Sequence, residues 1–209
     1  MLITLPVRGF LYELSQGSAT PGGGSAAGLS GAQSAALLAM VCNLTIGHKK
    51  YADVEGEMQE ALEKALRLRD RLMDLIEEDA HAFDSVMDAY RLPKDTPEQK
   101  AARSAAIQAG LKEAARTPME TLRHCVAVLE LAPEVVSKGN PNVISDGGAG
   151  VLSAHAGMMI AALNVQINLN AIKDEAFVTE QTEEMKELIA RGDAAKDKAW
   201  AIVAARLGM

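Results

Sequence analysis

The stretch "ATPGGGSAAGLSGAQSAALLAMVCNLTIGHKKY", Ala19 to Tyr51, decides the fold class. No acidic or basic side chain interrupts the chain between Glu13 and the cluster His48-Lys49-Lys50. Ala, Leu and Met dominate the stretch, nothing in it alternates as a strand does, and its small residues fall at helical steps. Gly28, Ala32, Ala35 and Ala39, followed by Asn43, share one face. The spacing predicts a helix from about Ser25 to Gly47 with a smooth side that lets another backbone approach closely.

A second uncharged run, Gly147 to Ile172, repeats the pattern: Gly150, Ala154, Gly157 and Ala161 form a small-residue face ending in Asn164 and Asn168. Both runs are long enough to raise the question of membrane spans. Ser25, Ser30, Gln33, Ser34, Asn43 and Thr45 dilute the first, and Ser153, His155, Asn164, Gln166, Asn168 and Asn170 dilute the second. The reading is therefore two helices buried all round at the centre of a soluble bundle, with no membrane partner.

Longer helices surround them. Thr4 and Pro6 read as the cap and first-turn proline of a short helix ending near Gly17. Glu55 to Arg91 reads as one amphipathic helix ended by Pro93, with a stripe of Met58, Leu62, Ala65, Leu72, Ile76, Phe83, Val86 and Tyr90. Thr96, Pro97 and Gln99 form a capping-box start for a helix to about Arg116. Pro118 marks a kink or new start, a further helix runs to Lys138 before Gly139, and a charged helix spans about Asp174 to Leu207. With no linker and no strand pattern in 209 residues, the expectation is one all-α domain over residues 1–209. Two small-residue-rich central helices are wrapped in it by longer amphipathic ones.

The net charge of −7 argues against a nucleic-acid partner, which needs a basic face. Cys42 and Cys125 sit inside apolar helical patterns, and "MLITLPVRGFLYEL" lacks the features of a signal peptide, so a reducing cytoplasm with two buried thiols is expected.

Among residues that could carry chemistry, Asp79 stands out because it occupies the core-facing seam of the Glu55–Arg91 helix. A carboxylate there is strongly disfavoured unless it is paired, for instance with Arg69 or Arg71, or used. Asp146, after Ser145, reads as a helix N-cap that could also face a cleft, with Asn140 and Asn142 in the same polar loop. Gly22-Gly23-Gly24 and Ser25 satisfy neither a Walker loop nor a dinucleotide fingerprint. They leave a helix N-terminus that could receive an anion or polar ligand edge, or a tight turn that admits a neighbouring helix. His48, Lys49, Lys50 and Tyr51 place cations at the far end of that helix, where they also suit its dipole. His155 reads as a satisfied core histidine, and no spacing of His, Cys and acids suggests a metal site.

The segments "TPGGGSAAGLSGAQSAALLAMVCNLTIGHKKY", "EEDAHAFDSVMDAYRLPKDTPEQKAAR", "KGNPNVISDGGAGVLSAHAG" and "AALNVQINL" together resemble the cyclodeaminase/cyclohydrolase family of folate enzymes. The resemblance implies an all-helical subunit, a homodimer, a tetrahydrofolate substrate, and no metal or further cofactor. By position it implies a site drawn from Gly22, Gly23, Gly24, Ser25, Asn43, Lys49, Asp79, Asn140, Ser145, Asp146 and Asn164, with Tyr51, Phe83 or Tyr90 against the pterin. His48 and Gly147-Gly148 depart from the family's usual Lys or Arg and Ala-Gly.

The implied reaction is reversible hydrolysis of 5,10-methenyltetrahydrofolate to the 10-formyl compound. Cyclodeamination of 5-formiminotetrahydrofolate is the alternative, and a non-catalytic dimerisation module the third reading. The absence of a formiminotransferase stretch favours hydrolysis. Either Asp79 or Asp146 takes the proton from water while the other orients the pterin or protonates N5, and Lys49 attracts the glutamate carboxylates or stabilises charge near the bridge.

Overall fold

The computed structural model describes residues 1–209 and is all-helical. Six α-helices follow in order: α1 Val7–Leu14, α2 Gly23–Asn43, α3 Glu55–Arg91, α4 Pro97–Lys138, α5 Ile144–Leu169 and α6 Glu175–Leu207. Short 3-10 turns occupy Leu2–Thr4, Lys49–Val54 and Pro141–Val143. α2 lies between α3 and α5, α4 backs all three, and α6 packs across α4 and α5. The two uncharged helices are therefore neighbours, but the face of α2 that starts at Gly28 meets α3, and α5 packs on the adjacent stripe of Ala27, Gly31 and Ser34.

Glycine makes the close approach possible at named points. A Cβ on Gly157 of α5 would lie 3.1 Å from the Ala27 carbonyl and the Gly31 nitrogen of α2, and 3.1 Å from the Cys125 sulfur of α4. One on Gly28 would meet the Leu72 carbonyl of α3 at 3.1 Å and Ile76 at 2.9 Å. α2 is thus approached closely from two sides: Gly28 faces α3, while the Ala27 carbonyl and the Gly31 nitrogen lie against Gly157 of α5. Because Gly23 near the start of α2 meets Asn164 near the end of α5, and Val41 meets Gly147, the two helices run antiparallel. Burial pushes the Cys125 thiol up to about 12 and the Cys42 thiol up to about 11, as befits packing groups.

Several expectations are corrected. The first helix starts at Val7 after Pro6 and stops at Leu14, and Thr4 instead closes a 3-10 turn. α2 starts two residues before Ser25 and ends at Asn43, the chain then turning through Gly47 at φ 80°. α4 runs unbroken through Pro118 and Pro133 rather than restarting. Its Thr96–Gln99 capping box forms as read. In the α3 stripe Met58, Ala65, Leu72, Ile76 and Val86 are buried, whereas Phe83 and Tyr90 are exposed.

The central helices are not buried all round. Met40 and Leu44 on α2, and Leu152, Met159, Leu163 and Ile167 on α5, are exposed apolar side chains, with Leu163 69% exposed. Gly23–Asn43 and Pro141–Leu169 have the length and composition to cross a membrane, and each is half or more buried against its neighbours.

Candidate active site

The glycine triplet and Asp79 belong to one feature. α2 begins with Gly22 as its N-cap, a residue without a side chain to accept the first free N–H groups. Asp79, reaching across from α3, takes that place: its carboxylate accepts the Ser25 hydroxyl at 3.0 Å and the Ser25 backbone N–H. Gly24 is the residue that admits it. A Cβ there would lie 2.0 Å from one Asp79 oxygen and 2.7 Å from the other. The anion that this helix N-terminus receives is supplied by the chain itself.

Neither arginine considered as a partner reaches Asp79. Arg69 pairs with Asp70, and Arg71 makes a bidentate pair with Glu78. Without a cation beside it, burial dominates over the two Ser25 hydrogen bonds, and the Asp79 pKa is raised above the ordinary aspartate value.

A cavity of about 320 Å³ opens beside this carboxylate. Phe83, Met87 and Tyr90 of α3 form one side, Ala114 of α4 its base, and Asn164 and Asn168 of α5 the other side. Such a volume is at the small end of ligand pockets and takes one fused ring system. Phe83 and Tyr90 left the core seam because they face this cavity. Asn164 stands against Gly23, the amide 3.1 Å from where a Cβ would be, so Gly23, Gly24, Ser25, Asp79 and Asn164 form one cluster.

The remaining candidates gather at the opposite end of α2. Asn140 ties two loops together: its amide donates to the Leu44 carbonyl at 3.0 Å and its oxygen accepts the Tyr51 hydroxyl at 3.0 Å. Its backbone N–H also donates to Thr45. These bonds occupy the Asn140 side chain in holding the end of α2 against the start of α5. Asn43 and Lys49 are exposed at the same end, and Lys50 lies 5.5 Å over the Tyr51 ring. Ser145 is exposed and Asp146 half-buried in the first turn of α5, where Val143, not Asp146, is the N-cap. Lys49 and Asp146 make no ion pair within the subunit. With 21 residues in α2 and about 1.5 Å per residue, the two clusters lie roughly 30 Å apart.

A larger hollow, about 690 Å³ between α4 and α6, contains charges that already answer one another, Glu130 with Arg191 and Glu134 with Lys138. His155 is a half-exposed partner of Asp193 at 2.8 Å rather than a core histidine. No three His, Cys, Asp or Glu side chains converge as metal ligands. Sequence reading did not pair Ser25 with Asp79. The signal available was that Asp79, Phe83 and Tyr90 recur at steps of four and seven on one helix face.

Residues 6–187 match the family model for formiminotransferase-cyclodeaminase. The chain is 48% identical over 201 residues to a methenyltetrahydrofolate cyclohydrolase of Methylorubrum extorquens, covering 96% of this chain and 97% of that protein. It is 32% identical over 188 residues to the formimidoyltransferase-cyclodeaminase of Sus scrofa, covering 90% of this chain but 35% of that longer protein. The crystal structure of formiminotetrahydrofolate cyclodeaminase from Thermotoga maritima superposes with a TM-score of 0.90 at 30% identity, covering 99% of this chain and 100% of the other. With its family model matched along most of its length and its fold shared, this chain belongs to the formiminotransferase-cyclodeaminase family.

Proposed function

We propose that the chain is a methenyltetrahydrofolate cyclohydrolase, an enzyme of one-carbon metabolism that interconverts 5,10-methenyltetrahydrofolate and 10-formyltetrahydrofolate. The observation that carries the reading is the Asp79 carboxylate, cradled by Gly24 and Ser25, unpaired with any cation, and open to a ring-sized cavity. The substrate bridge is a cationic amidinium, so an unpaired carboxylate offsets its charge. The raised pKa makes that same carboxylate a stronger base than an ordinary aspartate. Near-full-length similarity to a cyclohydrolase, against partial coverage of the bifunctional relatives, supports hydrolysis over deamination.

In this reading Asp79 takes a proton from water as the water oxygen bonds to the bridge carbon, giving a tetrahedral carbinolamine. The C–N5 bond then breaks, N5 receives the proton held by Asp79, and the carbinolamine hydroxyl loses its proton to solvent as the formyl C=O forms. One proton is released overall, which balances the positive charge lost from the substrate.

The second cluster enters through a homodimer. The apolar outer face of α2 and α5 supplies the surface, and a two-fold axis lying in that face across the helices sets the two α2 helices antiparallel. The Asp79 end of one copy then meets the Lys49, Ser145 and Asp146 end of the other, so that Lys49 attracts the glutamyl carboxylates and Asp146 or Ser145 orients the substrate. This removes the difficulty that about 30 Å separates the clusters in one subunit.

Cyclodeamination is the second reading, favoured by the 0.90 TM-score against a cyclodeaminase. In it N10 attacks the formimino carbon and ammonia leaves from the same tetrahedral centre. The deciding experiment offers purified protein the methenyl and formimino compounds separately, following loss of amidinium absorbance and release of ammonia. Hydrolysis of the first without ammonia from the second is expected, and the reverse pattern assigns the cyclodeaminase activity instead.

A further inference from the structure

The cavity beside Asp79 is polar without being cationic. Its lining includes no Lys, Arg or His, and its polar side chains are Asp79, Tyr90, Asn164 and Asn168. Both amides have their orientation fixed by backbone. The Asn164 nitrogen donates to the Ile160 carbonyl at 2.8 Å, and the Asn168 nitrogen donates to the carbonyls of Asn164 at 2.9 Å and Ala114 at 3.2 Å. Turning either amide over would set oxygen against oxygen, so both Oδ1 atoms, and one N–H of Asn164, are the groups left over. No fully buried side-chain polar atom lacks a partner, so these two oxygens are reachable from the cavity. Spaced four residues apart on α5, they form a short ladder of acceptors next to the carboxylate.

Pro118 explains why Asn168 holds this pose. In an α-helix the carbonyl of Ala114 would be bonded by the N–H of residue 118, but proline has none. The proline inside α4 thereby frees the Ala114 carbonyl, and Asn168 occupies it.

From this geometry we propose that the slot is the pterin subsite, and that Asn168, positioned by Pro118, is a specificity residue in it. The inference rests on the folate reading above and adds the direction in which the substrate lies. A tetrahydropterin is flat, fits between Phe83, Tyr90 and the α5 wall, and carries N–H groups at N3, N8 and its exocyclic amine for the carboxylate and the two amide oxygens to read. The anionic glutamyl end is disfavoured there, because the Asp79 carboxylate faces it and no cation does. The tail therefore points out of the slot, away from Asp79, towards the apolar α2 and α5 face.

The test uses the intact protein and two substrate fragments, 6-methyltetrahydropterin kept reduced and 4-aminobenzoyl-L-glutamate, with affinities measured by calorimetry. Asn168→Leu is expected to weaken the pterin fragment roughly tenfold, as loss of one buried hydrogen-bond acceptor does, and to leave the aminobenzoyl fragment within about twofold. Pro118→Ala restores the helical N–H and is expected to raise the KM for the methenyl substrate several-fold with kcat little changed, while the fold is retained by circular dichroism. The proposal is overturned if wild-type protein does not bind the pterin fragment, if Asn168→Leu weakens only the aminobenzoyl fragment, or if Pro118→Ala leaves KM unaltered. Turnover measured in the same preparation separates the two levels. Pterin binding that depends on Asn168 without hydrolysis of the methenyl compound removes the cyclohydrolase assignment and keeps the slot; normal hydrolysis with pterin binding indifferent to Asn168 removes the slot alone.

Discussion

At the scale of single residues, the proposed role of Asp79 sets stability against chemistry. Because its folded-state pKa is raised, the folded protein holds that proton more tightly than the unfolded chain does. Ionisation of Asp79 therefore lowers stability as pH rises from the ordinary aspartate value, about 3.9, through the raised one. Asp79→Asn keeps the shape and an acceptor for Ser25 while removing the charge. It is expected to lower turnover by about 10²- to 10⁴-fold and to unfold at equal or higher denaturant concentration than wild type at neutral pH. Chemical denaturation in acid and at neutral pH checks the sign: the advantage of the variant grows as pH rises. The acid limb of kcat/KM, lying above the ordinary aspartate range, disappears in the same variant. A carboxylate in a helix seam is visible in sequence, and so is Asp79; that neither Arg69 nor Arg71 pairs with it is not. Its partner Ser25 lies 54 residues away, and a hydrogen bond at that separation has no periodicity to betray it.

The same division holds for elements. Where the determinant is local, as with the Thr96–Pro97–Gln99 start of α4 or the 37-residue run of α3, the residues state the outcome. Pro118 misleads because a proline inside a helix is disfavoured locally, and what compensates it, the Asn168 amide on α5, comes from another element. Glycine contacts between helices can be tested by asking which of two opposed effects wins. Gly157→Ala gains about 1 kcal/mol of helix propensity but drives a methyl to 3.1 Å from two backbone atoms of α2 that cannot rotate away. Overpacking of that kind costs about 1–3 kcal/mol, so a net loss of about 1 kcal/mol is expected. Gly56, with nothing within 4 Å of its would-be Cβ, is the control: Gly56→Ala is expected to gain about 0.5 kcal/mol. Urea titrations of the pair measure both.

For the whole molecule, the sequence shows two uncharged helices, and the expectation that the bundle buries them all round is where it misleads. Burial by a second copy and burial inside one subunit write the same apolar residues, which is why α2 and α5 read as enclosed although Leu152 and Leu163 are 51% and 69% exposed. The separation of the glycine triplet from Lys49 by the length of α2 is legible, because both lie on one uncharged helix; that Asp79 and Asn164 join the glycine end and Asn140 the lysine end is not, since those contacts cross elements. If two copies join through this face, Leu152→Glu combined with Leu163→Glu leaves the helical content intact, produces monomers in sedimentation, and abolishes turnover together with dimerisation. Retention of a dimer and full activity would remove the shared-site assignment.

The junction of α2, α4 and α5 offers one more consequence. Cys125 sits wedged where Gly31 and Gly157 leave just enough room for its sulfur, fully enclosed, with a thiol pushed up to about 12. A maleimide or disulfide reagent meets no thiolate there while the three helices stay together. Labelling of Cys125, resolved by peptide mass, therefore acts as a clock for the bundle's breathing. Its rate is expected to rise in step with added denaturant and in Gly157→Ala, and to slow when ligand clamps the helices.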